Sequence, residues 1–456
     1  MIKKESIKKQ ILVISVRSII AILSMFCLLV ITRIIILEHP KPQELSQLEN
    51  ARFTAVCASQ YSKNIVTPLF WESPSKNVDI GAESAIMINT ANGDILFEKN
   101  ADEIIPPASM TKLVVMYVVF QEIANGNISM DDIVPLPPQS WAQNAPPNSS
   151  LMFLEQGQIV TLRELLLGLA VCSGNDAATA VAHYVSGSVD KFVERMNSEI
   201  KKLGLTKTHF VEPSGYDEHN VTTAREFASF ARMYVTKYPE ALTNFHSQKS
   251  FTYPQEHNLA PWHKNDGKEH SITQYNTNKA LGVIEGVNGL KTGFIYESGY
   301  NIAITATRNN TQLLTVSLRG KGNNSTEGNW WRVHDASTML ESAFSSIKTV
   351  TPAKLDKQAI AVTGGKKSAL FYAEATVTPL TVPYTPEDST NTTLNRKITI
   401  SKTLSAPIQI GQKIGTETYS LGNIKIAEIP LVADRTIVPS SRFMQFIDSI
   451  AVKFIN

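Results

Sequence analysis

The sequence predicts an α+β fold: an antiparallel sheet covered by helices, followed by a small all-β sandwich domain and a C-terminal amphipathic helix. Three observations carry this. Capped segments of helical period fill the stretch between an early and a late hairpin signal. After about residue 346 the helical period stops, and short alternating segments separated by Pro, Gly, Asn and Thr take over. The last residues then return to helical period with a wide apolar arc. At 456 residues, 43% hydrophobic and 18% charged, the chain has material for two or three domains.

Taken in order, Lys3, Lys4, Lys8 and Lys9 precede an apolar run over 11–37 that only Arg17 and Arg33 interrupt. A basic start before such a run places the N-terminus in the cytoplasm and sends the rest across the membrane. Residues 1–37 therefore read as a signal or membrane anchor. Retention is favoured, because the small-residue site at 55–58 lies far beyond the run. Residues 38–77 are polar and Pro-containing and read as a linker.

A hairpin follows, with strands at 85–90 and 94–98 and Asn92-Gly93 as a type I′ turn. Residues 110–124 form an apolar helix ended by Asn125-Gly126. Thr161 and Glu164 make a capping box for a helix ending near Val171. Further helices cover 175–185 and 190–203, closed by Gly187 and Gly204. Strands at 301–308 and 311–318 flank Asn309-Asn310, and a helix over 331–344 closes the domain assigned to 78–346. Alternating segments at 397–401, 413–420 and 423–429 belong to a β-sandwich over 347–437. In the tail, 438–456, one helical half gathers Phe443, Met444, Phe446, Ile447, Ile450, Ala451, Phe454 and Ile455. A wide, aromatic, terminal arc of this kind suits the membrane interface.

Net charge is +2, which gives no reason to expect a nucleic-acid partner. Cys27, Cys57 and Cys172 are too few for a disulfide framework, with a Cys57–Cys172 bridge left open. His257, His263 and His270 recur at gaps that fit no common ligand pattern, so their stretch reads as a surface loop and no metal or cofactor is expected.

Three short motifs carry the chemistry: Ser109-Met110-Thr111-Lys112, Ser173-Gly174-Asn175 and Lys291-Thr292-Gly293. Each alone is weak. Their order and setting make the set specific, because the first opens an apolar helix, the second joins two helices and the third precedes a long hairpin. The set is that of penicillin-binding proteins and class A β-lactamases. Ser109 at a helix start exposes its hydroxyl, and Lys112 lies on the same helical face. Lys112 accepts the serine proton only when neutral, which burial and a nearby cation such as Lys291 enforce. Ser173 can relay a proton to the leaving amine, and Asn175 can hold the substrate amide and Lys112. On an edge strand, Gly293 would let substrate backbone approach, and Lys291 and Thr292 would suit a terminal carboxylate. The N–H groups of Ser109 and Phe294 would form the oxyanion hole.

At these residues the chain resembles the low-molecular-weight penicillin-binding proteins, the D-alanyl-D-alanine carboxypeptidase family. The likeness extends to segment 150–154, Asp176-Ala177, Met196-Asn197, Leu203-Gly204-Leu205 and Gly299-Tyr300-Asn301, and covers nearly everything after Glu83. It implies a β-lactamase-like catalytic domain with Ser109 as nucleophile and Lys112 as base. Ser173, Asn175, Lys291 and Thr292 would support them. It also implies a peptidoglycan stem peptide ending in D-Ala-D-Ala as substrate and β-lactams as covalent inhibitors. The β domain and tail would then stand the enzyme on the outer face of the cytoplasmic membrane. Two departures matter. Relatives often carry His where this chain has Phe294, and the arginine that pairs the substrate carboxylate has no clear counterpart. Lys321, the neighbouring Arg319, and Arg225 are the candidates.

A class A β-lactamase would need a glutamate-activated water and usually has Asp where Gly174 stands. Glu212-Pro213 resembles its loop, but Ser214-Gly215-Tyr216 follows. A non-catalytic wall-binding scaffold would be expected to lose the nucleophile or its lysine, and both are present.

Overall fold

The computed structural model describes residues 2–60, 66–376, 378–384 and 393–455. The chain forms two compact units. The larger joins Lys63–Thr351 with Pro379–Thr392, and the smaller joins Met1–Ser62 with Pro352–Thr378 and Thr393–Asn456.

In the larger unit, strands β1 (Thr67–Pro68), β2 (Ser84–Asn89), β3 (Asp94–Lys99), β6 (Val287–Ile295), β7 (Gly299–Arg308) and β8 (Thr311–Gly320) form one sheet. Its order is β1-β3-β2-β8-β7-β6, antiparallel except for the short β1–β3 pair. A small hairpin, β4 (Ser250–Tyr253) with β5 (Ile272–Tyr275), stands apart from it.

Alternation along β2 divides the core. Ile86 and Ile88 face a cluster built on helix α3 (Lys112–Ala124), together with Leu165, Val181, Phe192 and Phe227. Those residues come from α4 (Leu162–Leu167), α5 (Asn175–Ser186), α6 (Val189–Lys202) and α7 (Ala224–Lys237). Ala85 and Met87 face the other way, onto Ala336, Met339 and Leu340 of α8 (Ser325–Ser346). Helices thus cover both faces, and each strand residue reads one face or the other.

Local chemistry explains the ends of these elements. Thr161 and Glu164 cap α4 reciprocally, as the sequence predicts, and α4 runs on into a π turn, Gly168–Cys172. Asn309 and Asn310 both adopt positive φ, 47° and 62°, the tight turn that joins β7 to β8. The Asn92-Gly93 turn is a different one. Only Gly93 has positive φ, +82°, and its N–H bonds Asn89 O at 2.8 Å, so the chain turns over four residues. The Asn92 amide is drawn away to Thr381 Oγ1 at 3.0 Å. Helix α7, capped by Thr223 onto Glu226, has no counterpart among the sequence expectations.

The domain border also differs. β9 (Ile347–Val350) pairs with β12 (Leu380–Pro383), and both stay with the larger unit. Asn89 Nδ2 reaches Thr349 and Thr381 hydroxyls at 2.9 Å each.

In the smaller unit, β10 (Gln358–Thr363), β11 (Ala369–Glu374), β13 (Asn395–Ile400), β14 (Thr403–Ser405), β15 (Lys413–Leu421) and β16 (Ile424–Ala433) link in the order β13-β15-β16-β11-β10-β14. Its core is Ile360, Val362, Leu370, Ile408, Leu431 and Ile437. The expected linker contains helix α2 (Gln47–Gln60), whose Cys57 packs on Ala375 and Val432. All three cysteines are free thiols.

Helix α1 spans Ile2–Glu38, and Ser15–Glu38 is long and apolar enough to cross a membrane, with mean hydropathy 2.8. Helix α9 (Arg442–Ala451) packs on the end of α1 and on β10, joining Ile34, Leu37, Ala361 and Ala451 in one cluster. The apolar half expected of α9 is therefore shared. Ile447 and Ala451 are buried, whereas Phe443, Phe446 and Phe454 are exposed. Asp448, from the polar half, is drawn inward by Arg33, whose Nε and Nη2 meet its two oxygens at 2.6 and 2.9 Å. The backbone N–H of Gly364 adds a third bond to Asp448.

Candidate active site

The turn before α3 is a 3-10 segment, Ala108–Thr111, entered with Ala108 at φ +52°. It is wedged between two glycines. A Cβ on Gly215, itself at φ +81°, would lie 1.9 Å from Ala108 O, and one on Gly293 would lie 2.4 Å from Pro107 O. Gly293 thus makes room for the turn that carries Ser109. Asn301 ties the same turn to the sheet, donating to Pro106 O at 2.9 Å and accepting from Arg319 N at 2.8 Å.

One helical turn on, Lys112 is completely buried. Its Nζ lies 2.9 Å from Ser109 Oγ, 2.8 Å from Asn175 Oδ1 and 2.5 Å from Ser214 O. Burial pulls its pKa down to about 7, while the Glu212 and Asp176 carboxylates resist the shift. In the neutral amine, two N–H bonds serve Asn175 and Ser214, and the lone pair is left for the Ser109 hydroxyl proton.

Asn175 opens α5, its N–H bonding Ser150 O at 2.8 Å and its Nδ2 donating to Ser149 Oγ at 3.2 Å. Asp176 explains why segment 150–154 is placed so closely. Its carboxylate accepts from the N–H groups of Met152, Phe153 and Leu154, although burial raises its pKa. Ser173 caps the π turn in a left-handed conformation, φ +61°, and is almost wholly buried.

Lys291 and Thr292 lie on β6, the edge strand. Lys291 is buried and bonds Thr292 O at 3.1 Å; burial first, then Lys112 and Arg332, push its pKa well down. Thr292 Oγ1 meets Thr277 Oγ1 at 2.7 Å. The Phe294 ring is part-exposed and leans on Tyr300, 4.5 Å between centroids.

The carboxylate candidates separate. The Arg225 guanidinium is held by Asp102 and Glu98, at 3.0 and 2.7 Å, on the β3 side of the sheet, and does not join this group. Arg319 is likewise committed to Glu83 and Glu103. Lys321 is exposed, rests over the Trp331 ring at 5.1 Å, and follows Gly320, which pairs with Tyr300 opposite Phe294.

Three further partners are not among the expected site residues, although Glu212-Pro213 resembles a β-lactamase loop in the sequence. Glu212 gathers the N–H groups of Ser214, Gly215 and Tyr216 and so presents Ser214 O to Lys112. Arg332 of α8, buried, donates to Asn301 O at 3.0 Å and to Gly293 O, fixing β6 from behind. Thr277 arrives from beyond β5. A concavity of this unit, lined by Glu285, Arg308, Glu341 and Tyr384, lies at the other end of β7 and β8 from Gly293 and is separate from the Ser109–Lys112 group.

A helix-covered antiparallel sheet, with a serine and a buried lysine beneath its edge strand, defines a serine peptidase of the penicillin-binding class. The family described as D-alanyl-D-alanine carboxypeptidase matches residues 71–322, and the C-terminal domain of penicillin-binding protein 5 matches 348–439. This chain belongs to the D-alanyl-D-alanine carboxypeptidase family. It is 31% identical over 390 residues to D-alanyl-D-alanine carboxypeptidase DacC of Escherichia coli, across 84% of this chain and 90% of that one. DacF of Bacillus subtilis is 31% identical over 353 residues, 77% and 85% of the two chains. Among solved structures, penicillin-binding protein 5 from Haemophilus influenzae superposes with TM-score 0.66 at 28% identity, covering 79% of this chain and 98% of that one. Penicillin-binding protein 6B from Escherichia coli gives 0.60 at 28%, covering 78% and 96%. The family resemblance and the fold class read from the sequence are borne out.

Proposed function

We infer that the protein is a serine-type D-alanyl-D-alanine carboxypeptidase that removes the terminal D-alanine from peptidoglycan stem peptides through an acyl-enzyme on Ser109. The observation that carries the mechanism is Lys112 Nζ, buried and 2.9 Å from Ser109 Oγ. Ser109 gives its proton to Lys112 as Oγ attacks the carbonyl carbon of the penultimate D-alanine. The oxyanion is met by the N–H groups of Ser109 and Phe294. Ser173 relays the Ser109 proton from Lys112 to the departing amine, so free D-alanine leaves and Lys112 is neutral again. Water, activated by Lys112, then hydrolyses the ester. Lys291, Thr292 and the exposed Lys321 receive the terminal carboxylate. A β-lactam enters by the same attack and stays on Ser109.

The two rival readings find no support. Glu212 has both oxygens engaged by its own loop, where a β-lactamase would aim a glutamate at water. A scaffold would have no need of the intact serine–lysine pair.

The catalytic unit faces the wall from the outer side of the cytoplasmic membrane, with α1 crossing the bilayer and α9 lying at its surface. The basic N-terminal residues, the apolar run over Ser15–Glu38 and the exposed Phe443, Phe446 and Phe454 support this.

Intact mass after penicillin treatment tests the nucleophile. One covalent equivalent is expected on the wild-type chain and none on Ser109→Ala, with D-alanine release lost in parallel. Labelling that survives in Ser109→Ala would overturn the assignment.

A further inference from the structure

We propose that His263, Asp266 and His270, in the loop between β4 and β5, form a binding site for a divalent cation of the zinc type. One donor atom from each lies within 4.8 Å of the others. His263 Nδ1 and His270 Nε2 both converge on Asp266 Oδ2, at 3.2 and 2.8 Å, and the two rings stand 4.1 Å apart. Tetrahedral ligands at zinc bond lengths of ~2.0 Å are separated by about 3.3 Å, so small outward shifts would admit an ion. The two histidine side chains are about three-quarters buried, and Asp266 sits on the exposed loop beside them.

A second carboxylate strengthens the case. Glu155 Oε1 lies 3.1 Å from His263 Nε2, so this ring stands between two carboxylates. A neutral imidazole has one N–H and can serve only one of them. A second proton or a cation on Nδ1 lets the ring serve both; with a cation there, Nε2–H donates to Glu155, the carboxylate–histidine pairing that orients metal ligands. Two histidines and a carboxylate are zinc donors, leaving one position for water. The three histidines taken as a set conceal this, because His257 points instead to Glu164, at 3.0 Å, and the third donor is an aspartate.

The site holds no reactive group, and its place suggests a staple. Glu155 continues the segment that Asp176 pins beside Asn175, and Gln274 of β5 donates to Leu151 O at 3.0 Å. Trp262, next to His263, covers Gly157, where a Cβ would meet its ring at 2.7 Å. A bound ion would fasten the β4–β5 loop to the segment bordering the cleft.

The test is independent of the peptidase reading. The untagged full chain, stripped with EDTA, is titrated with zinc chloride by calorimetry and followed by thermal melting. One equivalent should bind and raise Tm by several degrees, reversibly with EDTA. His270→Ala and Asp266→Asn should each lose both effects, and Glu155→Gln should weaken binding ten- to a hundredfold. His257→Ala should bind like the wild type. Circular dichroism melts without zinc establish that each variant is folded. A wild-type chain that binds no stoichiometric zinc, or a His270→Ala chain that binds it unchanged, would overturn the proposal.

Discussion

The Ser109–Lys112 pair makes pH the most direct probe of the site. A lysine with a pKa of about 7 is neutral above that pH, so acylation by penicillin should rise through about pH 7 and level off above it. Stability should move the same way. Between about 7 and the ordinary 10.5, the unfolded chain holds a proton that native Lys112 has released, so the native state gains stability as pH rises across that window. A flat rate profile through neutrality would point to another base. Gly293→Ala tests the turn itself. Its Cβ would meet Pro107 O at 2.4 Å and displace Ser109. Penicillin acylation should fall on the order of 10²-fold, since a shift of about 1 Å costs that much. Stopped-flow labelling would measure it, with the melting curve of the same variant showing that the fold persists.

How much of the site is visible in the sequence follows from distance along the chain. Ser109 and Lys112 are one helical turn apart, and Ser173 and Asn175 share one junction, so local spacing reveals them. Ser214, Glu212, Arg332 and Thr277 reach the same few ångströms from distant segments through a carbonyl, a turn or a helix flank. None of those leaves a pattern. Arg225 and Arg319 mislead for a related reason: a candidate cation cannot be told from one already held by carboxylates until its neighbours are known.

Among the elements, those with their own stop and start chemistry were legible. The Thr161–Glu164 box, Gly187, Gly204 and the Asn309-Asn310 turn each fix a boundary locally. Elements defined by a remote partner were not. β9 and β12 exist because they pair with each other, and α2 because Cys57 has a surface on β16 to pack on. The tail shows both effects: its helix was legible, the burial of Asp448 was not. Removing one member of a buried ion pair leaves the other charge stranded, typically a loss of about 3–5 kcal/mol. Asp448→Ala should therefore release α9 from α1, read as faster hydrogen exchange through Phe443–Phe454. Replacing both partners, Arg33→Met with Asp448→Leu, should restore most of the protection.

For the whole molecule, membrane attachment and catalysis should be separable. A chain lacking residues 1–29 keeps Arg33 and Leu37 for α9. It should float with anionic liposomes and hydrolyse small D-Ala-D-Ala peptides within about twofold of the full chain. Changing Phe443, Phe446 and Phe454 to Asp should leave that rate intact and reduce flotation on the order of a hundredfold. Partial insertion realises only part of the ~1.5–3 kcal/mol available to each ring. Flotation that ignores these phenylalanines would place the membrane contact elsewhere.

The first and last segments of the chain belong to the smaller unit, and both segments of the larger unit fall between them in sequence. Arg33 on α1 and Asp448 on α9 close that circuit by joining the first and last α-helices of the smaller unit. Tension applied between the two termini would therefore be borne first by this clasp and by the packing of α1 on α9. The strand that carries Lys291 and the turn that carries Ser109 would stay slack until the clasp gave way. The chain is wired so that mechanical load applied at its two terminal helices can bypass the strand and turn that carry Lys291 and Ser109.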